Sequence, residues 1–278
     1  MRTIILAGIA AATAVAAPAF AQEVTADQPF SGAYVGAAGG YDVQPNDVGS
    51  SILFDRNLDG RFGDGVVTAA GANAFSTGFC NGRGGGATRG AGCANDKDGA
   101  AYYARVGADT QRGNIVVGVV GEFGKSDITD SVTAFSTTPA NYVMTREIEW
   151  EASIRGRAGY AANTTLFYGT FGAGYARIER SFTSTNTLNS FTGSGKQNQF
   201  GITGGGGIEQ KIGKNFSIGM EYMYHQYQDD DYRIRVGRGT APANNPFVLA
   251  PNTTGTDFRR SDDKFRWHSL RATAAFRF

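Results

Sequence analysis

The stretch EIEWEASIRGRAGY, residues Glu147 to Tyr160, alternates between charged and apolar side chains. One parity is mainly apolar and runs through Ile148, Ile154 and Tyr160. The other parity is polar or charged, except at Gly159: Glu147, Glu149, Glu151, Ser153, Arg155 and Arg157. Because side chains of a β-strand point alternately to its two faces, this pattern predicts a strand with one polar and one apolar face.

Seven further segments show the same two-residue period, although less cleanly. They lie at 30–41, 100–110, 114–124, 165–177, 199–211, 216–226 and 265–278. Each is about ten residues long or slightly longer, which is the length that a tilted strand needs to cross a membrane. In segment 165–177 the lipid-facing parity stays open, because Phe167 and Tyr168 compete for that face.

The connections between these segments alternate between short and long. Turn-rich connections lie at 111–113, 162–164 and 213–215, whereas long ones lie at 42–99, 125–145, 181–198 and 228–264. Outer-membrane barrels have short periplasmic turns and longer extracellular loops. The sequence therefore predicts an all-β fold: a transmembrane antiparallel up-and-down β-barrel of about eight strands, with a long first extracellular loop at about 42–99.

The first residues are typical of a secretory signal, with Arg2, an apolar run at 4–17 and an Ala-x-Ala site at 19–21. We predict a cleaved signal peptide at 1–21 and a barrel domain at 22–278; an uncleaved membrane helix is the alternative. Forty glycines together with 12% aromatic residues suit a barrel, whereas a glycine-rich disordered chain usually has few aromatics. The balance of 26 basic and 25 acidic residues gives no nucleic-acid footprint.

The last predicted strand ends Arg-Ala-Thr-Ala-Ala-Phe-Arg-Phe. Arg271, Phe276 and Phe278 match the C-terminal signal that outer-membrane assembly machinery recognises, while Thr273 stands where that pattern prefers glycine. With this signal, residues 30–278 resemble small outer-membrane β-barrel proteins of the opacity and OmpA-like transmembrane superfamily, of the Gram-negative surface-antigen type. The resemblance implies residence in the cell outer membrane, contact with its lipid and assembly machinery, and loops that display a surface to an unidentified extracellular ligand.

One parity of the predicted strands would place charged side chains inside the barrel: Glu122, Glu147, Glu149, Glu151, Arg155, Arg157, Glu209, Lys211, Glu221 and Arg271. Eight strands enclose a space that side chains can fill, so we expect these charges to pair and block the lumen. The alternative is a narrow porin-like channel lined by charge, for ions or small solutes.

The first long loop contains two candidate sites. Asp55, Asn57 and Asp59 place oxygen ligands at alternate positions before a glycine, as at the start of a calcium loop. Val66 stands where an EF-hand has its glutamate, so Asp64 would have to supply the replacement carboxylate; the alternative is a polar turn. No cofactor other than calcium is predicted.

Cys80 and Cys93 lie close together in the same loop of an exported chain, which predicts a disulfide. The alternative is a pair of free thiols, because sequence spacing does not fix the distance between the two Cα atoms.

No catalytic residue is predicted. His225 and His268 fall near the extracellular rim on neighbouring strands, with Ser269 and the acids at 229–231 nearby, so a barrel-embedded hydrolase is a third hypothesis. Ser269 follows His268 directly and must point to the opposite face of the strand. The four glycines at 204–207 lack the Lys and Ser/Thr of a phosphate loop and are expected to bend a strand instead.

Overall fold

The computed structural model of the protein describes residues 28–45 and 50–278, so the predicted signal peptide lies outside the described residues. All eight predicted strands are present. They are β1 (Gly32–Val43), β2 (Gly99–Arg112), β3 (Ile115–Ser126), β4 (Ala140–Ala162), β5 (Thr165–Ser184), β6 (Asn198–Ile212), β7 (Phe216–Gln228) and β8 (Lys264–Arg277). None of the helices within the described residues is long and apolar enough to cross a membrane.

The eight strands form a closed antiparallel barrel. Each strand pairs with its neighbours in sequence, and β8 pairs with β1 in a register that sets Tyr34 opposite Arg277 and Val43 opposite His268. Two-residue turns join β2 to β3 and β4 to β5, where Gly113 and Asn163 adopt positive φ angles of 58° and 55°. The predicted fold class is confirmed, and closure leaves the barrel without an unpaired edge.

A β-bulge in β4 reverses the two faces of that strand. Arg177 of β5 pairs with Trp150, but the next residue, Ile178, pairs with Ile148, so Glu149 is the extra residue of the bulge. Below the bulge the predicted parity holds, whereas above it Ile148 is buried and Glu147 is exposed. The prediction that Glu147 and Glu149 face the lumen is therefore wrong, because a simple alternation passes straight through the bulge.

The outer wall of the barrel is apolar. Its exposed large side chains include Val106, Val119, Phe123, Ile154, Phe171, Ile202, Met220 and Leu270. The structure also settles the open face of β5, since Phe167 is 50% exposed and Tyr168 only 8%. Phe167 therefore faces outward and Tyr168 faces the lumen.

Glycines in β6 leave space for large lumen side chains from neighbouring strands. A Cβ at Gly207 would lie 2.4 Å from the carbonyl oxygen of Met220 and 2.9 Å from the hydroxyl of Tyr168. The run at 204–207 therefore has a packing role, because these positions admit no side chain without displacing a neighbour, and its bending role stays a prediction.

The four long connections fold together on the extracellular side, and we call this assembly the cap. It contains a four-stranded sheet in the order Ser190–Ser194, Arg233–Gly237, Thr256–Arg260 and Ile52–Asp55. A further strand, Thr129–Ser136, pairs with the upper part of β4. The cap has its own hydrophobic core, which includes Phe54, Phe75, Tyr142, Phe247 and Phe258.

The aromatic rings of this core are in direct contact. The centroid of Phe54 lies 4.6 Å from that of Phe75 and 4.9 Å from that of Phe258. Tyr142, on the upper part of β4, lies 5.6 Å from Phe247 of the last long connection. The extracellular loops are therefore a packed unit rather than independent excursions from the barrel.

Candidate functional site

Layers of ion pairs and aromatic rings fill the lumen, and inward residues of β8 mark their order from the extracellular end. Phe265 and Trp267 come first, Arg271 follows, and Arg277 lies near the periplasmic end. Eight of the ten predicted lumen charges are buried inside: Glu122, Glu151, Arg155, Arg157, Glu209, Lys211, Glu221 and Arg271.

Two glutamates and three arginines form the central layer. Glu122 lies 2.9 Å from Arg105, 2.7 Å from Arg155 and 3.4 Å from Arg271. Glu221 approaches Arg105 at 3.2 Å and Arg271 at 3.6 Å. These five side chains are almost completely buried, so each charge depends on its partners rather than on bulk water.

A second ionic layer lies toward the periplasm. Arg277 pairs with Asp109 at 2.9 Å and with Glu209 at 3.4 Å, and Arg157 also pairs with both of these acids. The guanidinium of Arg157 packs over the ring of Tyr168, 4.0 Å from its centroid. This layer ties β2, β4, β5, β6 and β8 together across the lumen.

An aromatic layer closes the extracellular end of the lumen. The ring of His225 stacks on Trp267 with centroids 4.7 Å apart, and its Nδ1 lies 2.8 Å from Glu151. Tyr227 also donates a hydrogen bond to Glu151, at 2.8 Å. Trp267 and Phe265 are fully buried here, which places apolar bulk between the ionic layers and the outside.

The two histidines lie on opposite faces of the barrel wall. His225 is inside and fully buried, while His268 faces outward with its Nδ1 2.6 Å from the hydroxyl of Tyr222. Ser269 is buried in the lumen, as its position after His268 predicts. The geometry thus does not combine the two histidines into one site.

A buried arginine forms the neck between barrel and cap. Arg146, on β4 above the bulge, pairs with Asp130 at 2.6 Å and with Asp229 and Asp262 at 2.9 Å each. Arg260 binds the same Asp130 at 2.5 Å. Residues from two of the four long connections, 125–145 and 228–264, therefore converge with β4 at one point.

Asp96, close to this neck, should make stability depend on pH. Burial, and then the nearby Asp130 carboxylate, raises the pKa of Asp96 to about 6. Since the pKa is raised on folding, protonated Asp96 favours the folded state below pH 3.8, and this contribution is lost as the pH rises through 6. We expect Asp96→Asn to flatten the change in unfolding free energy between these pH values, and identical profiles for variant and wild type would contradict this assignment.

The predicted disulfide between Cys80 and Cys93 is present, with Cα atoms 6.0 Å apart. Cys80 is buried beside the strand Thr129–Ser136 and Cys93 is exposed. The bridge closes a short loop, for which chain entropy predicts a stabilisation of about 3 kcal/mol.

We expect no free-thiol labelling of the folded protein without reductant. After reduction, both cysteines should label and the cap should become more sensitive to protease, because the loop at 80–93 is no longer closed. Full labelling of Cys80 before reduction, measured by mass spectrometry, would contradict the disulfide.

In the predicted calcium loop, carboxylates accept hydrogen bonds from the loop's own backbone. Asp55 accepts from the amides of Asp59 and Gly60 at 3.2 and 2.8 Å, and Asp64 accepts from those of Arg56 and Asn57 at 2.8 and 3.3 Å. Throughout residues 28–45 and 50–278, no three His, Cys, Asp or Glu side chains are grouped to hold a metal ion. The carboxylates of Asp55 and Asp64 thus order a polar turn, and calcium binding by this loop stays a prediction.

The outward face of β4 provides a direct test of the membrane-facing surface. Ile154 is 62% exposed, whereas Ser153 faces the lumen opposite Glu122 of β3. We expect Ile154→Lys to cost about 2 to 4 kcal/mol near the bilayer midplane and Ser153→Lys to cost less. Denaturant unfolding in lipid vesicles measures both, and equal losses would contradict the assignment of faces.

The three residues of the predicted assembly signal separate in space. Phe276 and Phe278 face outward, with rings 5.3 Å apart and exposures of 47% and 66%. Arg271 instead belongs to the central ionic layer of the lumen. Only the two aromatic residues are therefore accessible on the folded barrel.

Sequence reasoning missed several of the buried charges. Arg105 and Asp109 share the inward parity of β2 with Tyr103, and Arg277 shares that of β8 with Arg271, so the two-residue period alone could have found them. Arg146 gave no such signal, because the bulge inverts its face relative to the clear pattern below it.

A closed eight-stranded barrel with an apolar outer wall and a filled, charged interior is a transmembrane barrel of the outer membrane. The family model for the outer membrane protein beta-barrel domain matches residues 7–241, and the chain belongs to this family. The protein is thus an outer-membrane protein.

Curated relatives of the chain are named as outer-membrane proteins. The 22 kDa outer membrane protein of Rhizobium leguminosarum bv. viciae is 30% identical over 47% of this chain and 54% of its own length. The 31 kDa outer-membrane immunogenic protein of Brucella melitensis is 29% identical over 40% of this chain and 46% of its own. The chain spans about half the length of these curated relatives. The crystal structure of Ail from Yersinia pestis aligns with a TM-score of 0.34 at 11% identity, covering 89% of this chain and 99% of that one.

Proposed function

We propose that the protein is a non-conducting scaffold whose cap displays an interaction surface outside the cell. The observation that carries the proposal is that buried side chains fill the lumen continuously, from the neck down to the second ionic layer at the periplasmic end. A rigid barrel below a folded cap holds loop residues in fixed relative positions, which is what recognition of a partner requires.

The filled lumen disfavours the channel alternative. Passage of an ion would require Trp267 and Phe265 to move aside. It would also require Glu122 and Glu221 to separate from the arginines with which they pair. Separating buried ion pairs leaves uncompensated charges, which is costly. The hydrolase alternative is disfavoured because His225 is fully buried, with its ring stacked on Trp267 and its Nδ1 in contact with the Glu151 carboxylate.

The same scaffold offers a surface to the assembly machinery. Phe276 and Phe278 lie on the outer wall at the periplasmic end of β8, and we include their recognition during insertion in the proposed function.

The test combines gel migration with conductance. Mature protein folded in detergent should migrate differently before and after heating, and the same preparation should give no steady single-channel steps in a planar bilayer. A wide porin inserted in the same bilayer is the positive control. Steady conductance by the folded fraction would overturn the scaffold and favour the channel.

A further inference from the structure

A pocket of about 620 Å³ opens on the outer wall of the barrel where the extracellular ends of β5 and β6 meet. Its lining residues are Tyr175, Arg177, Lys196, Gln197, Asn198, Gln199 and Phe200. The display function described above makes no use of this pocket.

The lower half of the pocket is aromatic and belongs to the membrane-facing surface. Phe200 is 71% exposed, and its ring centroid lies 4.8 Å from that of Tyr175. Tyr175 in turn contacts Trp150 at 5.8 Å, and Trp150 contacts Phe123 at 6.0 Å. These four rings form a band at the extracellular end of the apolar wall, where barrels place the aromatic girdle of the lipid interface.

The upper half of the pocket carries two cations. Arg177 pairs with Glu149 at 2.7 Å, but its side chain remains 42% exposed. Lys196 is exposed, while its backbone is held by the carboxylate of Asp231 and by donors from Arg180 and Gln199. The cations thus stand directly above a lipid-facing aromatic floor, on a fixed backbone.

We propose that this pocket binds the phosphate-bearing headgroup of an outer-leaflet lipid. Arginine and lysine beside the lipid surface attract anionic headgroups, and arginine also presents a planar fork that suits phosphate. The aromatic floor can contact the apolar part of the same molecule. The pocket therefore has a charged half above an apolar half, which matches a lipid and not a free anion.

Acidic residues around the pocket restrict where the phosphate binds. Glu149 already neutralises part of the charge of Arg177. The exposed Glu147 of β4 and Glu179 of β5 are opposite each other in the strand register, farther from the membrane. These carboxylates repel a phosphate from the upper wall. Lys196 is therefore the principal cation of the site, and Glu149 limits its affinity.

Native mass spectrometry of the full protein in detergent tests this assignment. The probes are lipid A with its phosphates and the same lipid after their removal. We expect the wild type to retain lipid A. The Lys196→Gln variant should bind lipid A with at least fivefold lower affinity. Glu149→Gln should bind lipid A more tightly, because it releases Arg177. Lys214→Gln, on the short turn between β6 and β7, is the matched control and should leave binding unchanged.

Heat-modifiable migration shows that each variant is folded. Equal binding of the dephosphorylated lipid, or equal losses in Lys196→Gln and Lys214→Gln, would overturn the proposal. Displacement of the lipid by inorganic phosphate alone at the same concentration would show a simple anion site and would also overturn it. Opposite effects of Lys196→Gln and Glu149→Gln support it.

Discussion

Arg146→Ala is expected to destabilise the folded protein by about 3 to 5 kcal/mol, which is the typical cost of removing one partner from a buried ion pair. The side chain of Arg146 is 1% exposed and holds Asp130, Asp229 and Asp262. After the substitution all three acids lose a close cation; Asp130 keeps Arg260, and Asp262 keeps the more distant Arg266 at 3.7 Å. Asp229 retains Arg180, so the loss falls mainly on the connection between β4 and the last loop.

Denaturant unfolding in lipid vesicles measures this loss, and limited proteolysis locates it. We expect the cap to be cut at lower protease concentration while the barrel retains its heat-modifiable migration. Arg266→Ala is the control, because Arg266 is 36% exposed and lies 3.7 Å from Asp262, a geometry worth about 0 to 1 kcal/mol. Equal losses in the two variants would show that the neck contributes no special stability.

Glu122→Gln is expected to lower the free energy of unfolding by about 3 to 5 kcal/mol, because it also removes one partner from buried ion pairs, here in the centre of the lumen. Arg105, Arg155 and Arg271 all lie within 3.4 Å of the Glu122 carboxylate. Glutamine keeps the shape but removes the charge, which leaves Glu221 as the remaining acid of that layer.

The matched control is Glu149→Gln, because a simple alternation would place both glutamates inside. Glu149 is instead 46% exposed on the outer wall and pairs with Arg177, so its loss should cost about 0 to 1 kcal/mol. The difference in unfolding free energy between the two variants measures the effect of the bulge. Equal costs would contradict the bulge and restore the uninterrupted pattern.

The barrel could be predicted from sequence because alternation is a local property of each strand. Eight segments, their short turns and most of the inward charges follow from counting positions by two. The bulge could not be predicted, since one extra residue changes the pairing partner without changing the composition. Glu147 and Glu149 look like their neighbours Glu151 and Ser153 until the pairing with β5 is known.

The contacts of the cap and the neck could not be predicted from alternation, because they join residues that are distant in sequence. Phe54 meets Phe258, and the hydrogen bond from Arg146 to Asp262 spans 116 positions. No period relates such residues, and the segments between them are rich in turn-forming residues. The same limit applies to His225 and His268, whose opposite faces became clear only with the register of β7 and β8.

The composition of the cap core also fixes an order of events during biogenesis. Its sheet takes strands that begin as early as Ile52 and end as late as Arg260. The first and last of these strands pair directly, so the sheet can be completed only after the chain has been exported as far as Arg260. A binder that recognises the assembled sheet would therefore report chains on intact cells whose four loops are all outside, and ignore chains arrested before the last loop is exported.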